Sequence, residues 1–449
     1  MIETINTIFR LPELRNRILF TLAMLSVYRL GIFIPAPGVD RVVLKEKFLE
    51  NQGTLLSLYN MFSGGALQQF SVFVLGIMPY ISASIIMQLS QVMFPRMERL
   101  KNEGQSGRKK LNQYTRYLTI LIAIIQSFAI AVSLQTQSLN GTPIVLEPGS
   151  FFIFMTVVTM TSGSCFVMWL GEQITERGIG QGASLLITAG IIAGIPAGVQ
   201  SLFTSLDVGQ TTLLEITLLG VFMSAVVAAI VYVERGQYRV PIQYAKRVVG
   251  QQVYGGQMQH LPLKVNVAGV IPPIFASSLM FFPATIGSLV PHPFFEALAS
   301  AFVPGTWTYM VTYVVMILVF TFFYAAITFN PTDLANNLER QKGYIPGVRP
   351  GKQTAQYLDT ILQRLTAGGA VYLASVCLLP EILANQYGIP FYFGGTGLLI
   401  IVGVCMQTVG QIEGHLLSTK YDGLSQPKSG VKGRRGKFNP NSVSNKEAE

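Results

Sequence analysis

Charge is scarce in this chain. Only 12% of its 449 residues are Asp, Glu, Lys or Arg, about half of what a soluble domain usually carries. Half of the residues are hydrophobic and the mean hydropathy is +0.45, so the solvent for most of the chain is lipid. Cysteine is nearly absent. Cys165, Cys377 and Cys405 all fall inside apolar segments, with no paired spacing for a disulfide framework or a metal site. His260, His292 and His415 are far apart in sequence and lack ligand-like spacing. A nucleotide-binding G-x-x-x-x-G-K-S/T loop is missing too: Gly347 to Lys352 has the wrong spacing, and Gly436-Lys437 is followed by Phe438. No Ser/His/Asp set stands out. The expectation is a protein that is not an enzyme, needs no cofactor or metal, and draws its energy from a partner.

What the chain does have is long apolar runs. Crossing the hydrocarbon core takes about 20 mostly apolar residues as a helix. Such runs lie near 17–36, 72–94, 116–135, 151–172, 179–198, 212–234, 266–290, 307–329, 367–386 and 391–415. The first follows Arg15 and Arg17 as a signal peptide would, but nine further runs follow it, so it reads as an uncleaved first span. Charge placement tests the count. With a cytoplasmic N-terminus, the inside segments are 1–16, 95–115, 173–178, 235–265, 330–366 and the tail after 416. Together with Arg17 and Arg116 at the span edges, they hold 28 of the 32 Lys and Arg. Arg41, Lys45 and Lys47 fall outside, and Arg29 sits within the first span. A miscounted helix would invert every later loop and scramble this asymmetry. The formal charge of +10 is therefore mainly an orientation signal rather than a nucleic-acid footprint.

Residues 55–70, LLSLYNMFSGGALQQF, do not fit among the spans. They are apolar but too short to cross, and Gly64-Gly65 breaks them. Irregular backbone at membrane depth survives only where protein or a water-filled cavity surrounds it. A short re-entrant element and an amphipathic outer loop both satisfy the pattern.

One pattern occurs twice. Gly76-Ile77-Met78-Pro79-Tyr80-Ile81-Ser82-Ala83-Ser84 in the second run matches Gly269-Val270-Ile271-Pro272-Pro273-Ile274-Phe275-Ala276-Ser277 in the seventh. A weaker pair joins Gly180-Gln181-Gly182-Ala183-Ser184-Leu185-Leu186-Ile187 to Gly394-Gly395-Thr396-Gly397-Leu398-Leu399-Ile400. Both pairs are five spans apart. Five is odd, so the second half inserts upside down relative to the first, as in an inverted-topology repeat. Chance matches of small residues are common in membrane helices, but two with one offset are less so. Matched residues meet near the pseudo-axis at mid-membrane: Ile81 with Ile274, Ile187 with Ile400, and Ile77 one turn before Ile81 on the same face. None is charged, whereas an ion or solute transporter places charge there. An apolar constriction that gates by excluding water is the functional reading, and ordinary core isoleucines are the plain one.

Several stretches then resemble one family. MFSGGALQQFSVFVLGIMPYISASIIMQL (61–89), EGQSGRKKLNQYTRY (103–117), MWLGEQITERGIGQG (168–182), HLPLKVNVAGVIPPIFASS (260–278), FNPTDLANNL (329–338), IPGVRPGKQTAQYLD (345–359) and PFYFGGTGLLI (390–400) resemble bacterial SecY. The resemblance implies an all-α polytopic membrane protein of ten helices, arranged as two inverted five-helix halves around a central pore. Residues 1–200 would form the first half, 201–416 the second, and 417–449 a basic cytoplasmic tail expected to be disordered. It implies a channel that passes unfolded polypeptides across the bacterial cytoplasmic membrane and releases transmembrane segments sideways into lipid. The exit would lie between the second-third and seventh-eighth spans.

Carried over by position, the pore ring is Ile77, Ile81, Ala183, Ile187, Ile274 and Ile400. Ala183 departs from the family, where isoleucine is usual. The plug helix maps onto 55–70, with Leu58, Tyr59, Met61, Phe62, Gly64, Gly65 and Leu67. Segment 240–262 alternates around Val249-Gly250-Gln251 as a hairpin would and carries Lys246 and Arg247. The turn at 345–352 presents Arg349 and Lys352. The resemblance assigns these two loops to the SecA motor ATPase or the ribosome tunnel exit, although positive-inside bias explains Lys246 and Arg247 equally well. It also implies SecE-like and SecG-like subunits, with preproteins and signal peptides as passengers and membrane lipid as surroundings. Two rivals come from other classes. A secondary transporter also uses inverted repeats but needs midplane charge. A lipid-embedded scaffold needs no repeat.

Overall fold

A computed structural model describes residues 11–50, 60, 63–135, 138–139, 142–207, 209, 212–244, 247–249, 252–254, 258–289, 301–302, 306–387 and 395–425. Thirteen helices occur among them, and every one of the ten apolar runs coincides with one. α1 is Pro12–Gly31, α2 Arg41–Glu50, α3 Met78–Met93, α4 Pro95–Asn102, α5 Gln105–Gln135, α6 Ser150–Arg177 and α7 Gly182–Asp207. α8 is Leu213–Arg235, α9 Ile271–Leu289, α10 Trp307–Thr328, α11 Pro331–Arg340, α12 Lys352–Tyr387 and α13 Gly395–Ser425. Among the described residues, seven stretches, those built on α5, α6, α7, α8, α10, α12 and α13, are long and apolar enough to cross a membrane. The other three runs differ for physical reasons. α1 carries Arg15, Arg17 and Arg29, and α3 has only 16 residues, or about 24 Å of helix against a core of about 30 Å. α9 is apolar, but its stretch with described side chains, Ile271–Met280, is short.

The second and seventh runs begin later than hydropathy suggests. The second was expected from 72, yet residues 71–77 are turns and the helix starts at Met78. The seventh was expected from 266 and starts at Ile271. Both starts share one device. Gly76 (φ +53°) and Gly269 (φ +64°) sit in the left-handed region two residues before the helix, where a side chain would be strained. Proline then occupies the first helical turn, Pro79 in one copy and Pro272-Pro273 in the other. The internal repeat is thus structural as well as sequential.

Of the expected re-entrant segment 55–70, residues 60 and 63–70 are described; Asn60 is helical, and the stretch 63–77 is a run of turns with a bridge at Ser71. Most of it is buried, including Ser63, Ala66, Leu67, Phe70, Phe73, Val74 and Leu75. Backbone pairing fixes its far end, with Ala36 N–H donating to Phe70 O and Val72 N–H to Ile34 O. Irregular backbone is enclosed by protein here, as the bilayer demands.

The chain is mostly helical rather than all-α. β3 (Gln237–Tyr244) pairs antiparallel with β6 (Met258–Lys264), and β4 (Arg247–Val249) with β5 (Gln252–Tyr254) between them. The expected hairpin over 240–262 is therefore present; two further two-residue strands, β1 (Ser138–Leu139) and β2 (Thr142–Pro143), pair elsewhere. A strand the hairpin pattern does not reveal, β7 (Gly343–Tyr344), adds to the other edge of β3. Val240, Ile242 and Leu263 of this sheet bury against Leu338 of α11, Ile345 and Leu358 of α12. The two loops assigned to the same partners thus share one sheet and one small core.

Candidate pore constriction and basic loop face

All five isoleucines picked out by the repeat and the resemblance fall in one continuous core cluster, and Ala183 packs against it. Ile77 caps α3 and Ile81 lies one turn inside it; Ile187 comes from α7, Ile274 from α9 and Ile400 from α13. Each isoleucine is no more than 5% exposed. Ala183 is half-buried, the least covered of the six.

Glycines set the backbone spacing behind them. A Cβ on Gly182 would lie 1.9 Å from Gly171 O, so α6 and α7 touch backbone to backbone at the start of α7. A Cβ on Gly171 would meet Ile77 Cδ1 at 3.2 Å and Leu186 Cδ1 at 3.4 Å. On α13, a Cβ at Gly403 would come within 2.1 Å of Val270 Cγ1. These contacts bring α6, α7, α9 and α13 close enough for side chains from both sequence halves to converge, the usual use of small residues between membrane helices.

No charge enters this cluster. Among the described residues, the buried polar side chains are Ser, Thr and Asn, without a single Asp, Glu, Lys or Arg. Nor do three or more metal-ligating side chains gather anywhere among them. The cluster can exclude water and ions by bulk and apolarity, and it offers nothing to coordinate a charged solute.

The two sequence halves touch in two unlike places. α9 packs against α3 and α5. The polar contact there is Ser278 Oγ to Met78 Sδ at 4.0 Å, while the same hydroxyl already donates to Ile274 O at 2.8 Å. Elsewhere, the turn between α6 and α7 is tied once to the second half and once within the first. Gly180 N–H donates to Gln411 Oε1 of α13 at 2.8 Å, and Ile179 N–H to Thr21 Oγ1 of α1 at 3.0 Å. Leu14, Ile179 and Leu416 close a small apolar cluster around this joint.

Of the proposed plug residues, Leu58, Tyr59, Met61 and Phe62 lie outside the described residues. Gly64 and Gly65 adopt φ of +70° and +86°, and a Cβ on Gly64 would be 2.9 Å from Gly190 Cα of α7. Leu67 is buried in a second apolar cluster with Phe70, Val74, Ile144 and Phe152. The segment thus abuts the helix that carries Ala183 and Ile187. Two residues missed by sequence reasoning hold it: Tyr28 donates to Ser63 O at 3.3 Å and Arg29 Nη1 to Gly64 O at 2.8 Å. The one signal for them was a lone charge inside the first span.

On the loop domain, Arg349 and Lys352 are both exposed. Gly347 and Gly351 flank Arg349 at φ of +83° and +94°. Thr354 Oγ1 donates to Arg349 O, and Val348 N–H to Ile345 O, so a stiff turn presents the guanidinium. Arg247 pairs with Tyr254 in the β4–β5 ladder, and its side chain, like all of Lys246, lies outside the described residues.

Residues 71–409 match the model of the SecY family. That stretch is well over half of the chain. The chain belongs to the SecY family. Among curated proteins it is similar to the protein translocase subunit SecY of Pseudomonas aeruginosa, 46% identical over 94% of this chain and 95% of that one. The Escherichia coli K12 protein of that name is also 46% identical, over 94% of this chain and 96% of its own, and the Aquifex aeolicus protein 45%, over 94% and 99%. In fold, this SecY-family chain resembles a solved protein-conducting channel with a TM-score of 0.65 at 18% identity, covering 92% of this chain and 94% of that one. A Sec61 channel in a canine ribosome–channel complex gives 0.60 at 16% identity over the same shares. The family is one of translocase channel subunits, not of enzymes, and the chain is a multi-pass membrane protein.

Proposed function

We propose that unfolded polypeptides cross a bacterial cytoplasmic membrane through the isoleucine-lined waist of this channel, and that transmembrane segments leave it sideways into lipid. The carrying observation is the convergence of Ile77, Ile81, Ile187, Ile274 and Ile400 in one uncharged cluster. Apolar bulk fits a passenger of any sequence, because it seals without binding any one side chain tightly. Ten crossings with both termini cytoplasmic account for the charge asymmetry and for helices at all ten apolar runs, with 1–200 and 201–416 as inverted halves and 417–449 as a basic tail. The segment 55–70 acts as the plug. Sideways exit uses the seam where α9 meets α3 and α5. Arg349 and Lys352 lie on the loop domain, and together with Lys246 and Arg247 they receive SecA or the ribosome, as a dense phosphate surface favours basic side chains. The likeness to ribosome-bound channels supports that docking. SecE-like and SecG-like subunits complete the complex.

A stalled precursor tests the reading. Cysteines placed one at a time at the six waist positions should each crosslink to it, whereas a cysteine at Val221, two-thirds exposed on the α8 face, should not. Crosslinking equal at both places, or at Val221 alone, would exclude the waist as the path.

A further inference from the structure

A charged side chain inside a membrane span is costly and is normally functional or drawn toward the interface. Arg29 is half-buried near the end of α1, and it does not merely reach outward. Its Nη1 donates to Gly64 O at 2.8 Å, and its guanidinium carbon stands 5.6 Å from the centroid of the Phe33 ring. The preceding residue does the same one carbonyl earlier, Tyr28 hydroxyl to Ser63 O at 3.3 Å. Tyr28 is fully buried and stacks on Phe73, its ring centroid 6.1 Å away. Two consecutive donors on one helix therefore grip two consecutive carbonyls, which accept no backbone hydrogen bond among the described residues. Gly64 permits the grip. Its φ of +70° turns the carbonyl, and the missing Cβ leaves room for Gly190 Cα and Arg29 Nη1.

The geometry points to Tyr28 and Arg29 as a latch that holds the plug segment in its closed place, with Arg29 the main tie. The inference rests on the reading of 55–70 as a plug and adds how that plug is retained. Arg29 is a positioning residue, since it acts through Gly64 and touches no passenger. A hydrogen bond from a charged donor is stronger than a neutral one, so losing it should shift the balance between seated and displaced plug by roughly tenfold or more.

Resting ion conductance of the full channel complex in planar bilayers tests it, with three substitutions and two backgrounds. Arg29→Gln should raise conductance about tenfold toward that of a channel lacking residues 57–67. Arg29→Lys, which keeps a charged donor, should fall between wild type and Arg29→Gln. Tyr28→Phe, which removes only the hydroxyl, should give a smaller rise. In the channel lacking 57–67, Arg29→Gln should add nothing, because the carbonyls it grips are gone. Wild-type conductance with Arg29→Gln would mean that the arginine only reaches for the interface, and the latch fails while the plug stands. An equal rise in both backgrounds, or Arg29→Lys as leaky as Arg29→Gln, would assign it to helix packing and overturn the latch likewise. Unchanged conductance on deleting 57–67 would overturn the plug and the latch together.

Discussion

Ala183 is the smallest of the six waist side chains and the least covered, while the five isoleucines around it are buried. Isoleucine there adds three carbons. If they find open space, burying them favours the closed waist by about 2 kcal/mol; if the site is full, overpacking costs about 1–3 kcal/mol. Half-burial at a position facing Ile187 one turn away favours the first. Ala183→Ile should therefore lower ion leakage, most visibly in a channel lacking residues 57–67, and leave translocation possible. Leakage that rises or does not change would assign Ala183 to helix packing instead. Arg349 calls for the opposite kind of substitution. Its backbone carbonyl is held by Thr354 and its turn by Gly347 and Gly351, so the loop does not depend on the side chain. Arg349→Glu should insert normally and lose most SecA-dependent translocation in inverted vesicles. Wild-type translocation by this variant would remove Arg349 from the docking face.

At the scale of elements, the sheet β6-β3-β7 makes a prediction that charge alone does not. Gly343 is buried in β7, and a Cβ there would lie 3.1 Å from Tyr244 Cε1 and 3.2 Å from Ile242 Cγ2. Valine must push the two-residue strand away from β3, at a cost of about 1–3 kcal/mol. The turn carrying Arg349 begins one residue later. Gly343→Val should thus impair SecA-dependent translocation without altering any charge, and protease nicking near 345–352 should increase. Retained translocation with a nicking pattern like wild type would show that β7 does not position the turn. Such a pairing was hidden in the sequence because β7 is two residues long and lies about a hundred residues beyond its partner. The ten apolar runs were legible because length and apolarity are local properties that lipid enforces on each helix separately. Their starts at Met78 and Ile271 were not, since hydropathy continues smoothly through residues whose backbone a left-handed glycine has already turned. The isoleucines that meet in one core cluster were legible through the repeat. Arg29 was visible as an oddity, but its partner, thirty-five residues away in irregular chain, had no pattern to announce it.

For the whole molecule, the question is along which line the two halves part. One side of the contact between the two sequence halves is pinned by Gly180 to Gln411 at 2.8 Å and by apolar packing of Leu14 and Ile179 against Leu416. On the other side, α9 rests on α3 and α5 through apolar surface, with Ser278 and Met78 in a 4.0 Å contact. In lipid, separating apolar helices exposes them to a solvent as apolar as themselves, so the side held, among the described residues, by apolar packing and one long Ser278–Met78 contact is the cheaper to open. The halves should therefore hinge about the pinned joint and part at the seam. Cysteines replacing Met78 and Ser278 can be joined by a short bifunctional thiol reagent. Before crosslinking, the double variant should translocate and insert like its parent, because neither side chain forms a strong bond across the seam. After crosslinking, release of transmembrane segments into lipid should stop, and it should return when a cleavable crosslinker is cut. Release at an undiminished rate through the crosslinked channel would place the exit elsewhere, and the same crosslink tested beside Gln411→Leu would then show whether the joint, rather than the seam, is the side that opens.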